Sequence, residues 1–203
     1  MSQWLPFILF VLAASVTPGP TNLLILGSAA RFGLPLALAI ALGASVAAST
    51  MLLVVGLGLG GLLLRSPLLQ LAMTWVGVAW ISFMAWRLMQ HHPATLQTAS
   101  VDRRQGLLQG AGLQLVNPKT WLMSLSVSAI FLDGANTLAS VGQYALLFLL
   151  LSTPCLMLWG LLGAGSAHLL GKPSRALLFN RLMALLLLAS AWLPALLAGK
   201  FSN

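Results

Sequence analysis

The stretch Thr17-Pro18-Gly19-Pro20-Thr21-Asn22 interrupts an otherwise apolar segment that runs from Trp4 to about Ala30. A proline in a helix interior removes a backbone hydrogen bond and costs roughly 3 kcal/mol. In a bilayer no water is present to satisfy the freed backbone groups, so neighbouring protein must compensate for the break. The motif therefore predicts a discontinuous membrane helix.

A second motif of the same kind, Asn117-Pro118-Lys119-Thr120, lies in the middle of an apolar segment from about Leu107 to Leu132. A lysine near the centre of a membrane helix costs about 2.5–3.5 kcal/mol on insertion scales. The two motifs are almost half the chain apart. Two costly breaks at matching places in the two halves indicate a solute site at the middle of a membrane transporter.

The composition is that of an integral membrane protein. Of the 203 residues, 59% are hydrophobic and 6% are charged, and the mean hydropathy is +0.97. A spanning helix needs about 20 apolar residues, and the sequence contains six segments near that length. They are Trp4–Ala30, Leu34–Leu64, Leu68–Met89, Leu107–Leu132, Ser140–Gly165 and Leu182–Ala198. The sequence therefore predicts one all-α membrane domain over residues 1–203, with six transmembrane helices of which the first and fourth are broken.

The six predicted spans divide into two halves of three. Because three is an odd number, two repeats of three spans must be inverted relative to each other in the membrane. We expect repeat 1 over about residues 1–90, a polar cytoplasmic linker over about 90–106, and repeat 2 over about 107–203. Inversion would bring the two breaks together from opposite sides.

The net charge of +8 arises mainly from the predicted loops. The odd-numbered loops hold seven of the ten Lys and Arg residues, and the even side holds only Arg65 and Lys200. This asymmetry predicts cytoplasmic odd-numbered loops and periplasmic termini, and it favours a topological role over nucleic-acid binding. The seven residues are Arg31, Arg87, Arg103, Arg104, Lys172, Arg175 and Arg181.

Few side chains in the sequence could support catalysis. The only acidic residues, Asp102 and Asp133, fall in loops, and Cys155 is the only cysteine. The three histidines, His91, His92 and His168, show no metal-ligand spacing. We therefore expect neither an enzyme nor a bound metal or cofactor.

The first break offers groups that suit a carboxylate. A helix that restarts after Pro20 leaves free N–H groups at its positive end, and such an end is a ready anion site. Thr17, Thr21 and Asn22 supply short polar side chains there. Asn22 has a second interpretation, as a hydrogen-bonding residue between helices.

The second break adds an amide from Asn117 and a positive charge from Lys119, and Gln114 lies about one turn earlier. Lys119 has a second interpretation, in which span four is offset and the ammonium reaches a membrane interface. Trp121 either packs between helices or forms a wall of the site. The predicted substrate-binding residues are Thr17, Thr21, Asn22, Gln114, Asn117 and Lys119, and the predicted break residues are Pro18, Gly19, Pro20 and Pro118.

These motifs resemble those of the lysine-exporter (LysE/RhtB) family of bacterial inner-membrane amino-acid exporters. The resemblance rests on the six apolar segments, Thr17-Pro18-Gly19-Pro20 with Asn22, the small residues from Gly33 through Gly43, and Asn117-Pro118-Lys119. It implies efflux of amino acids or close derivatives driven by the proton motive force, with a homodimer as one possible assembly. The run Gln114-Leu115-Val116-Asn117 and the acid-free second span are closer to the cysteine/O-acetylserine exporter branch.

Lys119 and the absence of a carboxylate from the predicted spans favour small neutral amino acids as substrates. The expected partners are thus a small amino acid and membrane lipid, and no nucleic acid. Three alternatives remain open at the level of sequence. They are an exporter of basic amino acids, an ion channel or cation carrier, and a non-transporting intramembrane enzyme or assembly factor.

Overall fold

The computed structural model describes residues 3–59, 66–90, 102–132, 137–166 and 173–200. Within these ranges the chain forms α-helices and no strand, as the sequence predicts. A short π-helical segment, Val55–Leu59, continues the third helix. The eight α-helices are α1 (Trp4–Val16), α2 (Pro20–Phe32), α3 (Leu34–Val54), α4 (Pro67–Gln90), α5 (Arg103–Val116), α6 (Pro118–Phe131), α7 (Leu138–Ser166) and α8 (Pro173–Lys200).

Within the described ranges, two stretches of helix are long and apolar enough to cross a bilayer, Leu34–Gly58 and Leu138–Ser166. Helices α1 and α2 form a third span if the pair is counted as one, with a bend of 52° between them. Helices α4 and α8 contain shorter apolar parts, Trp75–Trp86 and Leu177–Leu193. The count of six spans and their inverted arrangement therefore stay predictions.

Two helices begin earlier than the apolar segments predict. Helix α5 begins at Arg103, inside the predicted linker, because the Asp102 carboxylate accepts hydrogen bonds from the backbone N–H groups of Arg104 (2.9 Å) and Gln105 (3.3 Å). This is an N-cap, which stabilises a helix start by about 1 kcal/mol. Helix α8 begins at Pro173 rather than near Leu182. Proline is favoured in the first turn of a helix, so a polar turn precedes the apolar part.

Helix α3 lies against α5 and α7, and α4 lies against α8. Gly43 of α3 and Gly110 of α5 bring the first of these pairs into backbone contact. A Cβ atom on Gly43 would collide with the Leu107 carbonyl oxygen, and one on Gly110 with the Ile40 carbonyl oxygen. Small residues at such crossings let membrane helices pack closely. No side chain separates α3 from α5 at this crossing.

The reversal from α2 to α3 takes place at a single residue, Gly33. Its φ of 88° belongs to a region that L side chains rarely adopt. The Gly33 N–H still donates to the Ala29 carbonyl oxygen at 3.1 Å. Helix α2 is therefore turned directly into α3.

Buried apolar residues join the broken helices to α3 and α7. One cluster combines residues from α1, α3, α6 and α7, with Phe7 packed edge-on against Phe131 at 5.4 Å between ring centroids. A second cluster combines residues from α2, α3 and α7, including Ile25, Ile40 and Leu156. Together these clusters hold both breaks against α3 and α7.

Candidate solute-binding site

Both predicted breaks are present in the structure. Helix α1 ends at Val16 and α2 begins at Pro20, while α5 ends at Val116 and α6 begins at Pro118. Each of these prolines occupies the first turn of a new helix, where its missing N–H leaves no hydrogen bond unmade. The prolines thus start helices α2 and α6 rather than kink longer ones.

Asn117 links the two breaks. Its side-chain oxygen accepts a hydrogen bond from the Lys119 N–H at 3.1 Å and caps α6. Its amide nitrogen donates to the Thr21 hydroxyl at 3.1 Å and to Gln114 Oε1 at 3.4 Å. Asn117 is buried, with 2% of its surface exposed. One side chain therefore ends the second break and contacts the first.

Gln114 and Thr120 complete this buried network. Gln114 Nε2 donates to the Thr21 hydroxyl at 3.1 Å, and the Thr120 hydroxyl donates to Gln114 Oε1. Thr21 thereby accepts two hydrogen bonds from residues more than ninety positions away in the chain. Thr120 is absent from the predicted set, although it lies three positions after Asn117, a spacing that places two residues on one helix face.

Lys119 lies half-buried beside the first break. Its ammonium donates to the Thr17 carbonyl oxygen at 2.6 Å. Its side chain crosses Gly19, where a Cβ atom would lie 3.2 Å from Lys119 Cδ. The Thr17 carbonyl follows the C-terminal end of α1, which carries a partial negative charge. The positive charge of Lys119, a residue of the second break, therefore lies at the first break, between α1 and α2.

Asn22 and Thr17 use their side chains to stabilise the first break. The Asn22 amide nitrogen donates across the gap to the Ser15 carbonyl oxygen at 2.8 Å. The Thr17 hydroxyl donates to the Ala13 carbonyl of its own helix at 2.6 Å. Thr17 thus contacts Lys119 through its backbone carbonyl and not, as the sequence suggested, through its polar side chain. A hydroxyl just past a helix end readily binds a carbonyl of the last turn.

A small polar cavity of about 40 Å³ lies between the breaks and helices α3 and α7. A water molecule needs at least about 10–15 Å³ by this measure, so the cavity has room for about three waters. Three waters have fewer non-hydrogen atoms than any amino acid. An amino acid can therefore bind here only if the cavity widens. The polar residues that line it are Ser15, Thr21, Asn22, Ser45, Gln114, Asn117, Lys119, Thr120 and Ser152.

Lys119 and Asn117 also line a larger groove of about 560 Å³, which lies between α1, α2, α6 and α8. Trp121 does not face the polar cavity. Its indole N–H donates to the Leu115 carbonyl at 2.8 Å, and its ring lines an apolar groove beside α3 and α5. Trp121 therefore does not form a wall of this cavity, and its role stays open.

The N-termini of α2 and α6 differ in one respect. Helix α6 is capped by Asn117, whereas no side chain caps α2, whose flanking residue is Gly19. The first N–H groups of α2 and the Lys119 ammonium give this part of the cavity positive potential. The C-terminal carbonyls of α1 give the opposite potential nearby. The site thus presents positive potential to an anionic group and negative potential to a cationic one.

Several residues considered for catalysis, metal binding or topology lie outside the described part of the chain, namely Arg65, His91, His92, Asp133, His168 and Lys172. Among the residues that the structure does describe, no group of three or more His, Cys, Asp or Glu side chains could hold a metal ion. Cys155 is a free, buried thiol in α7.

Comparisons with known proteins agree on the kind of protein that this chain resembles. A family model described as "LysE type translocator" matches residues 12–195. A cysteine/O-acetylserine efflux protein of Klebsiella pneumoniae is 32% identical over 125 residues, which cover 62% of this chain and 63% of that protein. The chain thus matches less than two thirds of that relative's length.

Two further relatives extend the comparison. A cysteine/O-acetylserine efflux protein of Salmonella choleraesuis is 29% identical over 159 residues, 76% of this chain and 78% of that protein. An uncharacterized membrane protein of Pseudomonas aeruginosa is 28% identical over 135 residues, 63% of this chain and 62% of that protein. No solved structure matches the chain.

Proposed function

Because this chain belongs to the LysE-type translocator family and is an integral membrane protein, we propose that it is a secondary exporter of small neutral amino acids or close derivatives. We place it in the bacterial inner membrane, with the proton motive force as the driving energy. The observation that carries the proposal is the contact between the two helix breaks. Lys119 reaches the Thr17 carbonyl, and Asn117 reaches Thr21.

A zwitterionic amino acid fits the charges around this contact. Its carboxylate binds the uncapped N-terminus of α2 and the Lys119 ammonium. Its ammonium binds carbonyls at the C-terminal end of α1 and the side-chain oxygen of Asn22, a residue that lines the cavity. Half-helix ends that point at a solute are a recurrent design of transporters. Thr21, Gln114 and Asn117 hold the two breaks together around the bound amino acid.

The helix contacts support two corresponding halves. In the proposed repeats, α1–α2 corresponds to α5–α6, α3 to α7, and α4 to α8. Helix α3 packs against α7 and α4 packs against α8, as expected for elements on opposite sides of a pseudo-two-fold axis. Helix α3 also packs against α5, and its counterpart α7 packs against α1. A solute site between two such halves would be reached alternately from each side.

The test is amino-acid efflux from proteoliposomes that contain the purified protein. Vesicles preloaded with a mixture of amino acids should release small neutral ones faster than empty liposomes do, and an imposed proton gradient should accelerate the release. Gln114→Leu removes a buried bridge between the breaks and should slow efflux about 100-fold, because three hydrogen bonds of about 1 kcal/mol each are lost.

Gln109→Leu is the matched control, because Gln109 lies on the same helix but is exposed. It should leave efflux unchanged. An ionic current that does not depend on amino acids would support a channel or cation carrier instead. Vesicles that release no amino acid faster than empty ones would contradict the proposal.

A further inference from the structure

Two buried serines face the polar cavity from helices that contain no break. Ser45 of α3 is fully buried and Ser152 of α7 is 3% exposed, and both line the cavity. Neither hydroxyl has a hydrogen-bond partner among the residues that the structure describes. Buried hydroxyls nearly always have a partner, so an unpaired pair that shares one cavity points to an occupant.

Other hydroxyls on the same two helices do have protein partners. Thr50 of α3 donates to the Val46 carbonyl at 2.9 Å, and Thr153 of α7 donates to the Leu149 carbonyl at 2.7 Å. Ser49 joins the two helices by donating to the Ala145 carbonyl at 2.6 Å. A bond back to the own helix is therefore a local option. Ser45 and Ser152 do not form such a bond, and their hydroxyls face the cavity unpaired.

The polar side chains of the breaks are largely bonded to one another. Thr21, Gln114, Asn117 and Thr120 form a closed network, and the Lys119 ammonium is bound to Thr17. A solute held at the breaks by its carboxylate and ammonium has only its side chain left to meet the rest of the cavity. That remaining wall contains the two unpaired hydroxyls.

We propose that Ser45 and Ser152 are specificity-determining residues that hydrogen-bond the side chain of the exported amino acid. This inference rests on the proposed function. It assigns a preference for a short side chain whose polar group is attached to the β-carbon, over an apolar side chain of similar size. The neighbouring Ala48, Phe148 and Leu156 limit the length of that side chain. Ordered water satisfies the two hydroxyls when no substrate is bound.

Serine and alanine form a suitable probe pair, because they differ by one hydroxyl group. The ratio of serine to alanine efflux is measured in proteoliposomes for the wild-type protein and for Ser45→Ala, Ser152→Ala and the double variant. One hydrogen bond contributes about 0.5–1.5 kcal/mol, so each single variant should lower the ratio about 2- to 10-fold. Ser45→Cys, which retains a weak donor, should lower it less than Ser45→Ala.

Ser49→Ala is the control, because it removes a satisfied bond between the same two helices. It should lower the thermal stability of the protein and leave the serine-to-alanine ratio unchanged. As an independent measurement, the thermal stabilisation of the detergent-solubilised protein by serine is compared with its stabilisation by alanine. This second measurement covers a variant that binds substrate but transports slowly.

The outcomes separate this inference from the proposed function. A wild-type protein that neither exports nor binds any amino acid overturns the proposed function and this inference with it. A protein that exports serine and alanine, with the ratio unchanged in both single variants, overturns only the specificity role. In that case the two hydroxyls bind structural water alone.

Discussion

The Lys119 ammonium lies 2.6 Å from the carbonyl oxygen of Thr17, a residue 102 positions earlier in the chain. A cation from the second break thus meets the negative end of α1 at the first break. The same ammonium lies beside the uncapped N-terminus of α2, which is positive. A carboxylate that binds here would interact with two positive groups, while an ammonium would share the α1 carbonyls with the protein side chains that already donate to them.

Lys119→Met should abolish most export while the protein remains folded and inserted. Methionine keeps an unbranched apolar chain but removes the charge. Loss of a hydrogen bond to a charged group costs about 1.5–3 kcal/mol, which corresponds to a fall in efflux rate of about 10- to 100-fold. Lys119→Arg should be only partly tolerated, because a guanidinium is larger and planar. Full export by Lys119→Met would refute the role of the Lys119 charge. Arg104→Met, which removes an exposed cation, serves as the control.

The wild-type protein should prefer small neutral amino acids to lysine and arginine. A basic substrate would bring a further cation, besides its α-ammonium, close to Lys119, and two like charges at roughly 4 Å repel by about 4 kcal/mol at an effective dielectric near 20. Of the two acidic residues, Asp102 caps α5, and Asp133 lies outside the described ranges. Competition among amino acids in the efflux assay measures the preference, and faster export of lysine than of serine would contradict it.

Asn117→Ala should destabilise the protein as well as slow export. It removes the cap of α6, worth about 1 kcal/mol, and leaves the buried Thr21 and Gln114 with fewer partners. The expected loss in the free energy of unfolding is about 1–3 kcal/mol, measured by denaturation in detergent. Asn117→Ser retains a capping hydroxyl and should recover part of the stability but not the bond to Thr21. Equal stability of the two variants would argue against the capping role.

Gly110→Val should prevent correct folding, because any Cβ atom at this position meets the Ile40 backbone. Gly112 provides a control on the same helix, since nothing lies within 4 Å of the position that its Cβ atom would occupy. Gly112→Ala should therefore express and behave in size-exclusion chromatography like the wild type. A monodisperse and active Gly110→Val protein would show that α3 and α5 do not pack in this way.

The orientation in the membrane is tested by cysteine labelling in whole cells, after Cys155→Ser removes the native thiol. The charge distribution predicts that a cysteine at Gln97, in the linker outside the described ranges, is reached only from the cytoplasm. A membrane-impermeant reagent added to intact cells should therefore leave it unlabelled. Labelling from the periplasm would reverse the predicted topology.

Much of the site could be predicted from the sequence because polar residues in an apolar segment are conspicuous. The motifs around Pro20 and Pro118 located both breaks, and the structure joins Thr21, Gln114 and Asn117 in one network. Family membership, inferred from the same motifs, is confirmed by the match over residues 12–195. Whether these residues bind a substrate stays a prediction.

Other features could not be predicted, for physical reasons. Ser45 and Ser152 lie in helices whose apolar residues favour no single face, so no pattern identifies the face that meets the cavity. The Thr17 hydroxyl turns back to its own helix, a choice that depends on local geometry. Helix α5 begins before the apolar segment because a capping side chain, Asp102, extends it into a polar stretch that hydropathy assigns to a loop.

The unequal capping of α2 and α6 has a consequence for how a solute can lie in the site. If both half-helices began with free N–H groups, a zwitterion could bind either way round between them. Asn117 occupies the start of α6, and only the start of α2 remains open to a carboxylate. A zwitterion that binds as proposed would therefore take a single orientation, with its carboxylate towards α2. A transporter that binds its solute in one orientation directs the carboxylate to one side of the membrane and the ammonium to the other. Entry and exit of the solute are then chemically distinct steps.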